Sequence, residues 1–281
     1  MSINHYENFP VASWLCPPQL RAPIAAIYHF ARCADDLADE GEASVGQRHA
    51  DLQAYRRDLD AVAAGHAPSP RWQASVFRPL SMALTAHQLP VPLLKDLLDA
   101  FEQDLDQQQY QDRTELLDYC RRSAHPIGRL LLHLYGISDP LALQHSDAIC
   151  TSLQLINFWQ DLSRDLSRGR VYVPQIDLAR HGLTTEDLLH GRDTAVTRQL
   201  VGDLCGWAEQ LMRRGAPLVH QLPGRAGWEL RLVVQGGLRI LAKIRAMHFA
   251  TLQHRPAIHA LDLPGMLLRA ALMHVAREAR R

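Results

Sequence analysis

Apolar residues recur at intervals of three and four along almost the whole chain, and this spacing is typical of α-helices with one buried face. Strand-like segments are scarce, and VYV at 171–173 is the main one. The pattern therefore predicts an all-α fold. The predicted helices span residues 23–41, 46–64, 70–88, 91–109, 113–135 with a break near Pro126, 139–168, 184–190, 194–217, 226–253 and 262–279.

Glycine and proline mark the ends of several predicted helices. Breaks fall at residues 65–70, 87–92 and 169–182. Pro23 suits a first helical turn, and Gly169 can close the helix before it as a left-handed cap. No long linker, low-complexity tract or internal repeat divides the chain. We therefore expect a single domain covering residues 1–281.

The composition restricts the classes of partner. The 281 residues include 30 Lys+Arg and 30 Asp+Glu, so no net charge attracts the chain to nucleic acid. The five cysteines include no CxxC pair, which disfavours a disulfide framework or zinc site and favours the cytoplasm. No signal peptide or apolar run of transmembrane length is visible. The C-terminal segment 267–281 suggests peripheral contact with the inner membrane face, although an ordinary amphipathic helix is the commoner interpretation.

Two pairs of aspartates are the main candidates for chemistry. Asp35 and Asp39 stand four residues apart, as do Asp161 and Asp165, with Asn157 four residues earlier. On a helix this spacing places like charges side by side, where they repel. Surface carboxylates balanced by arginines are the default interpretation. Both pairs, however, follow long apolar helical runs, where unpaired carboxylates are costly. Oxygen ligands at this spacing suit a hard cation such as Mg²⁺, with Mn²⁺ as an alternative.

Arginines accompany both pairs. Arg32 precedes the first pair, and Arg164, Arg168 and Arg170 surround the second. Arginine forms bidentate contacts with phosphate groups, although helix-surface arginines are more often solvated partners of nearby acids. Arg170 and Tyr172 follow the predicted cap at Gly169, so they are better placed to reach back to the acidic site.

The stretches FARCADDLAD, NFWQDLSRD and GRVYVP together resemble the two aspartate-rich motifs of the squalene/phytoene synthase family. The resemblance implies an isoprenoid synthase fold with helices around a deep apolar cavity. It also implies two acidic motifs that bind an isoprenoid diphosphate through Mg²⁺. The implied metal ligands are Asp35, Asp39, Asn157, Asp161 and Asp165, with Tyr172 as a further catalytic residue. The implied substrate-binding residues are Arg32, Asn157, Arg170, Arg122, Phe30 and Phe158.

Two departures from the family pattern narrow the implied reaction. Family members that condense two prenyl diphosphates commonly have a Ser-Lys pair near the N-terminus. In this chain that pair is replaced within HYENF, at residues 6–8. Arg122 stands where the family usually has a tyrosine. With these features the chain resembles the branch that converts presqualene diphosphate and water to hydroxysqualene and diphosphate. That reaction needs no NADPH, and no GxGxxG turn after a strand is visible. It also implies functional coupling to a presqualene diphosphate synthase.

Several questions and alternatives stay open at this point. A squalene or phytoene synthase is the nearest alternative, and a non-catalytic helical partner subunit is another. A di-iron bundle is disfavoured, because the chain has no Glu-x-x-His motif. Glycines 236–237 indicate either close helix packing or room for a prenyl chain. Candidates for positioning water are His5, His29, His125 and Arg122, and Phe30, Phe158 and Trp159 are candidates for lining the cavity.

Overall fold

The structure, a computed structural model, describes residues 16–107 and 109–273. Over these residues it is helical, which confirms the all-α class. HYENF, with His5, and the end of the C-terminal segment lie outside the described residues. The helices are α1 Pro18–Asp39, α2 Val45–Ala63, α3 Arg78–His87, α4 Val91–Asp106, α5 Arg113–Ser123, α6 His125–Leu134, α7 Pro140–Gln160, α8 Leu162–Ser167, α9 Gln175–Arg180, α10 Thr185–Leu189, α11 Ala195–Gly215, α12 Gly224–Ala246 and α13 Leu263–Ala271.

Several predicted boundaries were wrong. The helix predicted over 139–168 is divided into α7 and α8 at Asp161, and the one predicted over 226–253 ends at Ala246. The segment 70–88 begins with a π-helical turn, Gln73–Phe77, before α3. VYV forms no strand, and Val171 makes only one isolated parallel bridge to Gln109.

The first helix begins earlier than predicted. Pro18, not Pro23, occupies its first position, where a missing N–H removes no intrahelical hydrogen bond. Pro23 lies inside α1. α9 was not predicted at all, because six residues are too short for a clear apolar period.

Apolar side chains form two core clusters. The first joins α1 to α4 around Phe30, Tyr55 and Phe77. The second surrounds Trp159 on α7 and includes buried residues of α11 and α12. Helices α4, α5 and α6 pack against one another, and α5 and α6 also pack against α7. The expected single domain and deep apolar cavity stay predictions.

Two glycines allow close helix packing in the second cluster. A Cβ on Gly215 of α11 would lie 2.5 Å from the backbone oxygen of His145 on α7. A Cβ on Gly237 of α12 would lie 2.8 Å from the Met212 side chain and 3.2 Å from that of Ile156. Protein side chains therefore already fill the space beside Gly237, which favours the packing interpretation.

None of the helices in the part of the chain that the structure describes is long and apolar enough to cross a bilayer.

Candidate functional site

The first acidic pair lies at the C-terminal end of α1. Ala34 and Ala38 face the core, which leaves Asp35 and Asp39 half-buried on the adjoining face. Arg32 lies 3.1 Å from a carboxylate oxygen of Asp35 and 2.6 Å from one of Asp36. It also bonds to Glu40 at 2.8 Å. The acids of its own helix therefore engage Arg32.

The second acidic pair spans the junction of α7 and α8. The Asp161 N–H donates to the Asn157 carbonyl at 2.8 Å, and the Asp165 N–H donates to the Asp161 carbonyl at 2.9 Å. The backbone thus keeps near-helical spacing across the division, and Asp161 and Asp165 stay one turn apart. The Asn157 side chain is exposed and has no hydrogen-bond partner among the described residues. Its amide oxygen is therefore available to a ligand.

Arg170 connects the two pairs because of the turn that ends α8. Gly169 has φ of +76°, in the left-handed region. Its N–H donates to the Leu166 carbonyl at 3.0 Å, and the Arg170 N–H donates to the Asp165 carbonyl at 2.9 Å. These two bonds form a Schellman cap. The cap turns Arg170 toward α1, where its guanidinium donates to both oxygens of Asp39 at 2.8 and 2.5 Å.

The aspartates perturb one another's ionisation. Burial, followed by repulsion from Asp39, raises the pKa of Asp35 to about 6. Burial, followed by repulsion from Asp161, raises the pKa of Asp165 to about 7. Asp39 also raises the pKa of Asp165, and Arg170 lowers it. The charges of the two motifs therefore act on one another, which indicates a shared site that a cation would stabilise.

Arg255 also belongs to the site and was missed by the sequence analysis. Its guanidinium donates to both carboxylate oxygens of Asp161, the longer bond being 3.4 Å. α12 ends early, and His248 and Phe249 follow with φ of +53° and +60°, so the chain changes direction there. Gln160 then donates to the Pro256 carbonyl at 2.7 Å and fixes the next segment beside Asp161. No motif in the sequence indicates that Arg255 belongs to the site. The helix predicted over residues 226–253 also gave no reason to expect that the chain turns back toward Asp161 after Ala246.

Aromatic side chains pack around Tyr172, two residues after Arg170. Phe158 and Tyr172 stack with ring centroids 3.8 Å apart and planes 9° apart. Tyr110 lies 6.0 Å and Tyr119 6.1 Å from Tyr172, measured between centroids. Burial, followed by the charge of Asp104, raises the pKa of Tyr172 well above its usual value, so its hydroxyl stays protonated. The predicted residues Phe158 and Tyr172 are thus brought together.

Asp104 is a second residue that the sequence analysis missed. It lies on α4, and the Tyr119 hydroxyl donates to its Oδ2 at 2.8 Å. Its Oδ1 is buried and has no hydrogen-bond partner among the described residues. Burial raises the pKa of Asp104 to about 7, with Arg170 and Asp39 among the neighbouring charges. One signal was available, since Asp104 follows Leu97 and Phe101 on the apolar stripe of α4.

Other predicted residues lie elsewhere. Arg122 donates to the side-chain oxygen of Gln103 on α4 and, at 3.0 Å, to a carboxylate oxygen of Asp118. Phe30 is fully buried and stacks on Tyr55 in the first core cluster, so its role in binding substrate stays a prediction. His125 bonds to Thr151 at 2.8 Å, and Trp159 is fully buried. Arg164 and Arg168 are exposed.

The donor set fits a hard divalent cation in its chemistry. The five predicted ligands offer only carboxylate and amide oxygens, and two of the carboxylates have pKa values raised by burial and then by a neighbouring negative charge. In residues 16–107 and 109–273, no three Asp, Glu, His or Cys side chains are grouped as a metal site in the present geometry. Asp39 and Asp161 are bound by Arg170 and Arg255, which would have to release them to a metal.

Comparisons with known proteins agree with this geometry. A family model described as squalene/phytoene synthase matches residues 3–262. A hydroxysqualene synthase of Sinorhizobium fredii is 33% identical over 246 residues, covering 87% of this chain and 81% of that protein. One of Zymomonas mobilis is 37% identical over 213 residues, covering 75% and 69%. A phytoene synthase of Thermus thermophilus is 30% identical, covering 95% and 89%.

A solved structure described as squalene synthase HpnC from Alicyclobacillus acidocaldarius aligns with a TM-score of 0.78 and 37% identity. The alignment covers 87% of this chain and 90% of that one. A dehydrosqualene synthase aligns with a TM-score of 0.82 at 22% identity, covering 95% and 92%, and supports the fold alone.

Proposed function

This chain belongs to the squalene/phytoene synthase family, and we propose that within it the chain is a hydroxysqualene synthase. The proposed reaction converts presqualene diphosphate and water to hydroxysqualene and diphosphate. The observation that carries the proposal is the pair of acidic motifs joined by Arg170. The hydroxysqualene synthases at 33% and 37% identity support the choice of reaction within the family.

Mg²⁺ is the proposed cofactor, with Mn²⁺ as an alternative. Asp35, Asp39, Asn157, Asp161 and Asp165 are the residues that would hold it. When bound, the ion supplies Lewis-acid stabilisation of the negative charge on the leaving diphosphate. Arg170 and Arg255, once released from their carboxylates, would bind diphosphate oxygens through bidentate hydrogen bonds. Each arginine therefore has a carboxylate partner before substrate binds and a phosphate partner afterwards.

Loss of diphosphate leaves a cyclopropylcarbinyl cation that must rearrange before water reaches it. The stacked rings of Phe158 and Tyr172 lie next to the arginine that would bind the diphosphate, and aromatic faces stabilise cations. Tyr172 is neutral at physiological pH, so it adds no charge that would trap the cation. The same packing limits the access of bulk water during the rearrangement.

Asp104 is the proposed acceptor of the proton released when water is captured. The water oxygen forms a bond to the carbocation and loses one proton to Oδ1 of ionised Asp104. Tyr119 holds the other carboxylate oxygen at 2.8 Å and so orients the group. No electrons are transferred to a carrier in this step, which is why NADPH has no place in the proposed reaction.

Condensation of two prenyl diphosphates is the second candidate function. The phytoene synthase at 30% identity over 95% of this chain keeps it under consideration. A non-catalytic partner subunit is less well supported, because strongly raised pKa values such as those of Asp35 and Asp165 cluster at functional sites. Coupling to a presqualene diphosphate synthase, a cytoplasmic location and peripheral contact with the membrane also remain proposals.

A product assay by gas chromatography–mass spectrometry tests the proposed function. Purified protein receives presqualene diphosphate with Mg²⁺ and no NADPH, and a parallel sample receives farnesyl diphosphate alone. We expect hydroxysqualene from the first sample only, and none from folded Asp35→Ala or Asp161→Ala variants. Presqualene diphosphate, squalene or phytoene made from a prenyl diphosphate would favour the condensation reaction. Full activity in either variant would contradict the role of the acidic motifs.

A further inference from the structure

The last turn of α1 carries the first acidic pair and is joined to α2 by an exposed loop. Residues 40–44 are all exposed, so apolar packing does not fix this loop. Gly41 lies in it with φ of +80°, in the left-handed region. The carbonyl groups in the last turn of a helix have no partners within the helix. The position of Asp35 and Asp39 therefore depends in part on what binds those carbonyl groups.

Arg48, in the first turn of α2, supplies such hydrogen bonds. Its Nη1 donates to the Leu37 carbonyl at 3.1 Å and its Nη2 to the Gly41 carbonyl at 2.8 Å. Its Nε donates to the Ala43 carbonyl at 3.2 Å. All three nitrogens of the guanidinium are thus used. One side chain binds the last turn of α1 and two points of the loop that follows.

The Leu37 carbonyl lies within the first acidic motif, since Leu37 stands between the two aspartates of the pair. The carbonyl before it, of Asp36, accepts from the Glu40 N–H at 2.9 Å. Arg48 then binds the next carbonyl along the chain. A cation at the C-terminal end of a helix also interacts favourably with the helix dipole. Arg48 therefore stabilises the turn in which Asp39 is the final residue.

The helix that carries Arg48 is itself fixed to α4. Three side chains of α2 bind side chains of α4, namely His49 with Asp106 at 3.0 Å, Gln53 with Glu102 at 2.9 Å and Arg56 with Asp99 at 2.6 Å. Because His49 directly follows Arg48, one turn of α2 contacts the last turns of both α1 and α4. The last turn of α4 also carries Asp104.

Arg48 differs from the other arginines near the first pair in what it binds. Arg32 bonds to Asp35, and Arg170 bonds to Asp39, so a cation that takes these carboxylates would displace both arginines. Among the described residues, Arg48 donates to backbone carbonyl groups. Those groups keep their places when a ligand arrives, so Arg48 can support the site throughout.

We propose that Arg48 is a positioning residue for the first acidic motif. It fixes the last turn of α1, so that Asp35 and Asp39 are held toward the same ligand. Groups that support metal ligands without touching the metal commonly change its affinity by about ten- to a hundredfold. The inference rests on the proposed function of the acidic motifs in binding Mg²⁺ and diphosphate. It does not depend on which isoprenoid diphosphate is the substrate.

Isothermal titration calorimetry tests the proposal with the purified full-length chain and inorganic diphosphate in excess Mg²⁺. Arg48→Met removes the three donors but keeps an unbranched side chain, and it should weaken binding about tenfold. Arg48→Lys keeps the charge but not the planar fork, so it should restore binding only in part. Salt at about 0.15 M screens charges more than about 8 Å apart, which limits effects of charge alone.

Arg71→Met is the matched control. Arg71 binds both carboxylate oxygens of Asp51 on α2, at 2.6 and 2.9 Å. Its replacement also removes one positive charge and the hydrogen bonds of one arginine to an element beside the site. Urea unfolding measures the stability that each variant loses. The control should bind Mg²⁺ and diphosphate like the unaltered chain, even where its urea midpoint falls as far as that of Arg48→Met.

Three results would overturn the proposal. They are unchanged binding in Arg48→Met, equal losses of binding in the two methionine variants, and full recovery in Arg48→Lys. If Arg48→Met does not fold, Arg48→Lys alone decides between positioning and charge. An unaltered chain that binds no diphosphate with Mg²⁺ would contradict the acidic site itself, and this inference with it. Calorimetry measures no turnover, so a product assay that favours condensation would leave the role of Arg48 standing.

Discussion

At the scale of single residues, Asp104 shows how burial can prepare a group for proton transfer. Oδ1 of Asp104 is buried and has no hydrogen-bond partner among the described residues. A buried polar atom without a partner reduces the stability of the folded state. Burial raises its pKa to about 7, so it can accept and release a proton near neutral pH. Asp106, on the same helix, is not buried in this way, since its side chain is 67% exposed.

We predict that Asp104→Asn uncouples diphosphate release from alcohol formation. Asn keeps an oxygen acceptor for Tyr119 but cannot accept the proton from the captured water. Diphosphate release should continue, while the yield of hydroxysqualene per diphosphate falls by about tenfold or more. Elimination products should take its place. Paired measurement of released diphosphate and of products by mass spectrometry checks this.

Asp106→Asn is the matched control, since it changes an exposed acid of α4. It should leave the product ratio unchanged. An Asp104→Asn enzyme that lost both quantities equally, with its fold intact, would contradict a role specific to water capture.

At the scale of elements, the turn after α8 positions the arginine that joins the two motifs. Gly169 adopts a left-handed conformation that a side chain disfavours. Its hydrogen bond and that of Arg170 cap α8 and point Arg170 toward Asp39. The geometry of one cap therefore affects both stability and binding.

We predict that Gly169→Ala destabilises the protein by about 1–2 kcal/mol, because alanine is strained at this positive φ. A displaced Arg170 should also raise the KM for presqualene diphosphate severalfold while changing kcat less. Urea unfolding and steady-state kinetics measure the two effects. Gly206→Ala is the control, because Gly206 lies within α11 with open space around it. That change should stabilise the chain by about 0.5–1 kcal/mol, and equal losses in both variants would contradict the prediction.

Local patterns predicted the elements well and their junctions less well. Apolar spacing identified the long helices, and the helical interval placed Asp161 and Asp165 on one stripe, where the structure keeps them. The division at Asp161 and the early end of α12 depend on tertiary contacts, such as the bond from Gln160 to Pro256. Arg255 could not be predicted for the same reason, because its contact with Asp161 joins residues distant in sequence.

At the scale of the whole molecule, the acidic site opposes folding when no cation is bound. The chain has no net charge overall, yet carboxylates are concentrated at the C-terminal end of α1 and at the junction of α7 and α8. Asp35 and Asp165 have pKa values raised from 3.8 to about 6 and about 7. The folded state therefore binds more protons than the unfolded chain between those values, and its stability falls as pH rises through that window.

We predict that Asp165→Asn makes the metal-free protein more stable at neutral pH and less sensitive to pH. The gain should be about 1–2 kcal/mol, because solvent at this half-buried position screens part of the repulsion. At about pH 3, below the ordinary pKa of 3.8, Asp165 is mostly protonated in both states, and the two proteins should converge. Thermal unfolding in chelator across about pH 3 to 7 measures the difference, and Mg²⁺ should raise the stability of the unaltered chain more than that of the variant. Parallel curves for the two proteins, with no response to Mg²⁺, would show that Asp165 bears no electrostatic cost and would remove the physical basis for a cation between the motifs.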